Sequence, residues 1–114
     1  MDISTTLKPA AIHILLALAE HDSHGYAVMQ TVRQQSGGHI SLKTGSFYRH
    51  LSTVMDAGLV TEAPGPKSGD DPRRGTYYRL TARGRQVLVA ERFRLNDLVA
   101  HMNRLKLTTR KGDA

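Results

Sequence analysis

Cysteine and tryptophan are both absent from this chain of 114 residues. Without cysteine there can be no disulfide framework, no thiolate nucleophile and no thiolate metal site. Long apolar runs are missing as well, since none approaches the ~18–20 residues that span a bilayer. The first residues, Met1 to Thr6, lack the basic start and the apolar core of a secretion signal. These absences predict a cytoplasmic protein with no membrane partner.

Catalytic signatures are also missing. The sequence has no nucleophile elbow, no phosphate-binding loop and no H-E-x-x-H motif. Its six histidines are scattered, and only His21 and His24 are near neighbours. Together with Asp22 they could bind a metal weakly, but a structural role at a helix junction is the more frequent use of such residues. We therefore expect neither enzymatic activity nor a cofactor or metal.

Acidic residues are few relative to basic ones. Ten Asp and Glu oppose sixteen Lys and Arg, which gives a formal charge of +6 and a pI near 10.1. Six of the basic residues, but only Asp70 and Asp71 of the acidic ones, lie between Lys67 and Arg85. A small basic protein suits a polyanionic partner, although such a charge run can also be an ordinary solvated loop.

Apolar residues at helical spacing predict two helices in the first third of the chain. The first runs from Pro9 to about His21, and proline suits its first turn. Its apolar positions are Ile12, Ile14, Leu15, Leu16, Leu18 and Ala19, so more than one side should be buried. The second runs from about Gly25 to Gln35, with Ser23 as its cap and glycines at its end. Its inward residues should be Tyr26, Met29 and Val32.

A third helix, capped by Thr44 and stopped by Gly58, has two distinct faces. At 100° per residue one side collects the apolar residues Phe47, Leu51, Val54 and Met55, which should be buried. The opposite side carries Ser46, Arg49, Thr53 and Asp56. Small hydroxyls and one arginine allow close approach to a DNA groove, although such a face is most often plain polar surface.

A basic hairpin follows this helix. Residues 59–63 and 76–80 are rich in Val, Thr and Tyr and predict two strands. The connection over residues 64–72 contains three prolines and cannot be regular structure. Arg73 and Arg74 lie where this connection returns to the sheet, which suits contact with phosphates or a minor groove. A helix followed by such a ribbon is the outline of a winged helix-turn-helix.

The last predicted element is a long helix from Ala82 to about Lys106, capped by Thr81. Its dimerisation seam at heptad spacing should comprise Leu88, Leu95, Leu98, Val99, Met102 and Leu105. Glu91 is the one polar exception in this seam. A helix that extends beyond the core leaves its apolar stripe exposed, so the stripe needs a binding partner. A second copy of the chain is the simplest such partner.

The sequence thus predicts a mainly α protein with a small β-hairpin, a winged helix-turn-helix with a long C-terminal dimerisation helix. We expect residues 7–81 to form the DNA-binding domain and residues 82–107 to form the dimerisation helix. Residues 108–114 should form a flexible tail.

Three separated segments resemble the PadR family of transcriptional regulators. They are Ile14-Leu15-Leu16-Ala17-Leu18 with His24-Gly25-Tyr26, then Thr44-Gly45-Ser46-Phe47-Tyr48-Arg49-His50-Leu51 with Ala57-Gly58-Leu59-Val60, and finally Arg74-Gly75-Thr76-Tyr77-Tyr78-Arg79-Leu80-Thr81-Ala82-Arg83-Gly84. Their order and spacing are preserved over roughly residues 7–88. The single C-terminal helix resembles the short subfamily.

This resemblance implies a repressor that dimerises through its C-terminal helix and binds double-stranded DNA at a palindromic operator. It also implies release by a small-molecule effector or a stress signal. The implied DNA-binding residues, with Thr53 from the face described above, are Lys43, Thr44, Ser46, Tyr48, Arg49, Thr53, Arg73 and Arg74.

One alternative function stays open at this point. Winged domains also serve as protein-interaction or RNA-binding modules without operator specificity, since a fold does not fix a function. The arginine pair favours nucleic acid, and a dimer seam favours duplex DNA because two-fold symmetry matches paired half-sites.

Overall fold

The computed structural model describes residues 7–65 and 75–107 of the chain. The helices in these ranges are α1 (Pro9–Glu20), α2 (Gly25–Gln35), α3 (Thr44–Asp56) and α4 (Ala82–Arg104). The strands are β1 (Ser23–His24), β2 (Val60–Ala63) and β3 (Tyr77–Leu80). The predicted architecture is confirmed, and the structure adds a third short strand to the hairpin.

Helix α1 lies at the centre of the core. It contacts α2, α3, β3 and α4, and the side chains of Ile14 and Leu15 have no exposed surface. The other elements supply a set of buried apolar side chains: Val28, Val32, Phe47, Leu51, Val54, Leu59, Val60, Leu80 and Val87. The broad apolar face predicted for α1 is therefore confirmed. Leu16 is the exception, since it is 41% exposed on the side toward α4.

Helices α2 and α3 end in the same glycine-dependent motif. After α3, the amide of Gly58 donates to the Met55 carbonyl, and the next amide donates to the Val54 carbonyl, both at 2.9 Å. Gly58 has a φ of 78°, and Gly37 and Gly38 after α2 have φ values of 63° and 83°. This left-handed conformation is strained for residues with a Cβ, which is why glycine closes both helices. The predicted glycine stops are confirmed.

Two of the predicted N-caps are wrong. Ser23 does not cap α2, because the N-cap position is held by the next residue, His24, whose Nδ1 accepts a hydrogen bond from the Ala27 amide at 3.3 Å. Thr44 does not cap α3, because it is already the first helical residue. Lys43 occupies that N-cap position, and its side chain makes no capping hydrogen bond.

Thr81 is the predicted cap of α4, and the structure confirms it. Its Oγ1 accepts a hydrogen bond from the Gly84 amide at 3.0 Å and donates one to the Gly58 carbonyl at 2.7 Å. Its amide donates to the Leu59 carbonyl at 3.0 Å. One residue thereby joins the end of α3, the approach to β2 and the start of α4.

The three strands form an antiparallel sheet in the order β1-β3-β2. Val60 pairs with Leu80 and Ala63 with Tyr77, so the two long strands match the predicted hairpin to within one residue. Ser23 pairs with Tyr78 on the other side of β3. No sequence pattern indicates β1, since two residues are too few to show alternation.

The first half of α4 packs against the rest of the domain through Gly84, Val87 and Glu91. Glu91, predicted in the dimerisation seam, is instead turned into its own subunit and only 4% exposed. Arg94 donates to its Oε2 from Nη2 at 2.8 Å and from Nε at 3.2 Å. This hydrogen bond raises the pKa of Arg94 above its ordinary value, and a buried carboxylate needs such a partner.

The second half of α4 extends beyond the core. From Arg92 to Arg104 it adds roughly 20 Å of helix at about 1.5 Å per residue, and the molecule measures 53 Å along its longest axis. The helix ends at Arg104, two residues short of the predicted end, and Leu105 forms its C-cap. Among the four helices of the described residues, none is both long enough and apolar enough to cross a bilayer.

Gly84 offers a direct test of this packing. A Cβ at Gly84 would overlap the Leu59 carbonyl oxygen and the Leu80 side chain, and a backbone atom cannot move aside cheaply. We expect Gly84→Ala to lower the free energy of unfolding by about 1–3 kcal/mol or more, as overpacking does. Gly45→Ala is the matched control, because nothing lies within 4 Å of the added methyl group. Chemical denaturation of both variants would measure the difference, and equal stabilities would contradict the described packing.

Candidate nucleic-acid interface

The exposed face of α3 presents most of the polar residues that the sequence singled out. Lys43, Thr44, Arg49 and Thr53 are exposed, and Ser46 is half-buried. The opposite face is anchored in the core by Phe47, Leu51 and Val54. The apolar side of the helix therefore holds its polar side at the surface.

The first turn of α3 is open to an anion. With no side chain capping the helix, the amides of its first turn are left without a capping acceptor. Gly45 has open space around its Cα, so another molecule can approach the backbone closely. Helix N-termini carry partial positive charge, and Lys43 adds a full one.

Helix α2 adds polar residues that the sequence analysis missed. A groove of about 420 Å³ separates α2 from the start of α3, and Arg33 and Lys43 both line it, together with Gln30 and Tyr26. The prediction that Tyr26 points inward is wrong, because the residue is 63% exposed. It lies two residues before the buried Val28, and two residues turn a helix by about 200°. Gln30 donates from Nε2 to the Tyr26 hydroxyl at 3.2 Å.

Thr53 has less hydrogen-bonding freedom than its exposure suggests. Its Oγ1 donates to the Arg49 carbonyl at 3.0 Å, so the hydroxyl is left as an acceptor for any other group. A cavity of about 250 Å³ next to it lies between α3 and the beginning of α1 and is bordered by His50 and Lys8. Lys8 is exposed and adds a cation near the C-terminal half of α3.

Tyr48 lies at the junction of several elements. It is 44% exposed, and its ring packs edge-on against Phe47 with 4.9 Å between ring centroids and 77° between planes. Its hydroxyl lies beside Gly25, the first residue of α2. The residue implied to bind DNA is thus also a packing residue inside the helix-turn-helix.

The basic wing is described at its base. Arg73 and Arg74, both singled out by the sequence, lie outside the described residues, so their predicted role stays a prediction. On β3, Arg79 donates from Nη2 and Nε to Asp22 in the connection after α1, at 2.8 and 3.1 Å to Oδ2. This hydrogen bond, with the charge of Asp22, raises the pKa of Arg79. Because both side chains are partly exposed, the pair stabilises the fold little.

The residues considered as a weak metal site have structural roles instead. His21 Nδ1 lies 3.0 Å from both the Ser23 Oγ and the Asp22 carbonyl oxygen. His24 caps α2, and its ring stands edge-on to Tyr77 with 5.4 Å between centroids. Within residues 7–65 and 75–107, no three histidine or acidic side chains are grouped as metal ligands.

The outer half of α4 presents an apolar surface. Five of the six predicted seam residues, Leu95, Leu98, Val99, Met102 and Leu105, are between 39% and 58% exposed. The sixth, Leu88, is half-buried against its own domain. A groove of about 410 Å³ between α1 and α4 continues this surface and is lined by Ile12, Leu16, Leu88, Val89, Glu91, Arg92, Leu95 and Asn96.

Solved structures share this fold. A PadR-family regulator from hypervirulent Clostridium difficile R20291 superposes with a TM-score of 0.73 at 22% identity, covering 88% of this chain and 100% of that one. A PadR-like transcription factor from Bacteroides fragilis gives 0.66 at 18% identity, covering 83% and 87%. A transcriptional regulator from Clostridium thermocellum gives 0.60 at 25% identity, covering 80% and 88%.

Sequence comparison gives the family directly. No curated protein sequence matches the chain significantly. The model of the transcriptional regulator PadR-like family, in contrast, matches residues 14–90, well over half of the chain. This match spans the core, the exposed face of α3, the wing and the packed first part of α4. The chain therefore belongs to the PadR-like family of transcriptional regulators and is a DNA-binding regulator with a winged-helix fold.

Proposed function

We propose that this protein is a repressor that binds a palindromic operator in double-stranded DNA as a homodimer and has no catalytic activity. The observation that carries the proposal is the exposed start of α3, where an uncapped helix end, Lys43 and Arg33 of α2 surround one groove. We propose the cytoplasm, where it meets DNA, as its place of action.

The geometry supports a division of roles among the DNA-binding residues. Lys43 and Arg33 are placed to hold phosphates at the edge of a groove, since charged contacts of this kind fix register without reading sequence. Ser46 and Arg49 lie farther along the exposed face of α3 and suit contacts with base edges. Arg73 and Arg74 of the wing are proposed to bind the neighbouring backbone.

The apolar surface of α4 supports the proposed homodimer. Leu98 and Met102 lie one helical turn apart with more than 40% of each side chain exposed, and Val99 and Leu105 widen the stripe. A surface of this kind on a small protein is typical of a protein contact. We propose that residues 7–81 bind DNA, that residues 82–107 dimerise, and that residues 108–114 form a tail outside both.

The groove between α1 and α4 is the proposed place for an effector. Its walls are mainly apolar, and Arg92 and Asn96 supply polar groups at its edge, which is the usual composition of a small-molecule site. Because it borders the proposed dimer surface, a bound molecule would change how two subunits, and hence two α3 helices, are oriented. A small molecule or stress signal that lowers DNA affinity would act through this change.

DNA binding is tested on the region upstream of the protein's own gene. We expect a two-fold symmetric footprint, with half-sites about one helical turn apart. The affinity should fall as salt rises, with a log–log slope near −0.9 for each phosphate neutralised. Titrations at four salt concentrations measure this slope. A salt-independent affinity would contradict the proposal, and a preference for RNA or for a protein would favour the alternative function.

Two sets of variants separate sequence reading from backbone binding. Arg49→Ala should lower affinity for the operator more than for unrelated DNA, by about 1–3 kcal/mol of discrimination if the guanidinium contacts a base edge. Arg73→Ala with Arg74→Ala should weaken binding to both DNAs alike and reduce the salt slope. Gln86→Ala, an exposed change on the first half of α4, is the control. Equal losses on both DNAs for Arg49→Ala would exclude its reading role.

The dimer surface is tested by placing a charge on it. Leu98→Glu would bury an unpaired carboxylate between two subunits, which costs about 3–5 kcal/mol, so the dimer should dissociate at micromolar concentration. Ala100→Glu is the matched control, since residue 100 is exposed and lies on the opposite side of the helix. Sedimentation velocity measures both variants. A dimeric Leu98→Glu protein would show that the subunits meet elsewhere.

A further inference from the structure

The side chain of Tyr48 fills a site that any side chain on residue 25 would occupy. A Cβ added to Gly25 would lie 2.6 Å from the Tyr48 hydroxyl and 3.3 Å from Cε2 of Phe47. The first residue of α2 is therefore in direct contact with the phenol of Tyr48 on α3. This contact fixes the start of α2 against the first half of α3.

The contact at Gly25 connects the same phenol to the wing strands. Gly25 directly follows β1, where Ser23 pairs with Tyr78 of β3, so the site beside Gly25 adjoins the sheet. Tyr78 is half-buried, and its pKa is raised first by burial and then by the nearby Tyr48 and Glu62. Glu62 is the β2 residue paired with Tyr78.

Tyr78 extends the connection toward the wing tip. Its side chain forms a hydrogen bond with the side chain of Thr76, next to the left-handed Gly75 at which the described part of the wing resumes. The Tyr48 phenol therefore contacts the residue that follows β1, and β1 pairs with the wing strand β3 that carries Tyr78.

We infer that Tyr48 is a positioning residue that fixes the wing relative to α3. A protein that holds duplex DNA with a helix and a wing must keep the two at a set distance and angle. Preorganising that arrangement reduces the free energy spent on ordering it during binding. Tyr48 thus contributes to affinity through the wing arginines. This inference rests on the proposed DNA binding.

A double-mutant cycle tests the inference on the full-length protein and the operator fragment. Tyr48→Ala is measured alone and in a protein that also carries Arg73→Ala and Arg74→Ala. If Tyr48 acts through the wing, its removal should weaken binding about tenfold with the arginines present and less than about twofold without them, because coupled sites are not additive. Arg49→Ala is the matched control on α3, and its loss should be the same in both backgrounds.

A second pair of variants tests the contact itself. Gly25→Ala should displace the far end of the Tyr48 side chain and weaken operator binding several-fold, while thermal unfolding shows that the protein remains folded. Adding Tyr48→Phe removes the hydroxyl that the new methyl group meets, so the double variant should recover most of the affinity. If the hydroxyl contacts DNA directly, the double variant should instead bind more weakly than Gly25→Ala.

Footprints of the Tyr48→Ala complex at saturating protein separate positioning from general weakening. The protections made by α3 should remain, and those made by the wing should be lost. Equal losses in both arginine backgrounds, or no recovery with Tyr48→Phe, would overturn the positioning role while leaving the DNA-binding proposal in place. A wild-type protein that does not bind the operator would overturn both.

Discussion

The three hydrogen bonds of Thr81 are the constraint on which the arrangement of the elements depends. The Thr81 hydroxyl accepts a hydrogen bond from the Gly84 amide and donates one to the Gly58 carbonyl. The Thr81 amide donates a third hydrogen bond to the Leu59 carbonyl. These contacts bring the end of α3, the first strand of the wing and the start of α4 to one point. Gly84 then approaches Leu59 so closely that only a residue without a Cβ fits there. The orientation of α3 and the direction in which α4 leaves the domain are consequently set together.

The helix N-termini differ in their capping. Helices α2 and α4 each have one first-turn amide bonded to a cap side chain, His24 or Thr81, whereas α1 and α3 begin at lysines that make no capping hydrogen bond. A missing cap costs stability, typically about 1 kcal/mol. In a regulator that binds DNA, those unsatisfied amides and the lysine charge become useful only when an anion arrives. In the proposed binding mode, the start of α3 therefore exchanges some stability of the free protein for DNA affinity.

Much of the fold could be predicted from the sequence because its signals are local. Apolar spacing and glycine stops located all four helices, and Thr81 was recognisable as a cap from its place before a helical pattern. The errors occurred where two adjacent polar residues competed for one role, as with Ser23 and His24, or Lys43 and Thr44. The spacing of Tyr26, Met29 and Val32 predicts an inward Tyr26, although its position relative to Val28 turns it outward. β1 forms by pairing with the edge of β3, and no local sequence pattern reveals that edge.

The candidate site was predictable only in part, because only some of its residues follow from a local sequence pattern. The polar face of α3 follows from periodicity within one helix, so its exposed residues were identified. Arg33 and Gln30 join that surface through the packing of α2 against α3, which spacing along the chain does not reveal. The packing role of Tyr48 was hidden likewise, since its contact with Gly25 links residues more than twenty positions apart.

The ion pair between Glu91 and Arg94 bears on how the molecule is assembled. Both partners belong to one helix of one subunit, separated by three residues, and the acid is buried within that subunit. Each newly synthesised chain can therefore neutralise its only buried acid among the described residues without a neighbour. Folding of the subunit then needs no partner for this charge, and in the proposed homodimer the joining of two folded subunits is a separate, later equilibrium that the abundance of the protein in the cell can tune.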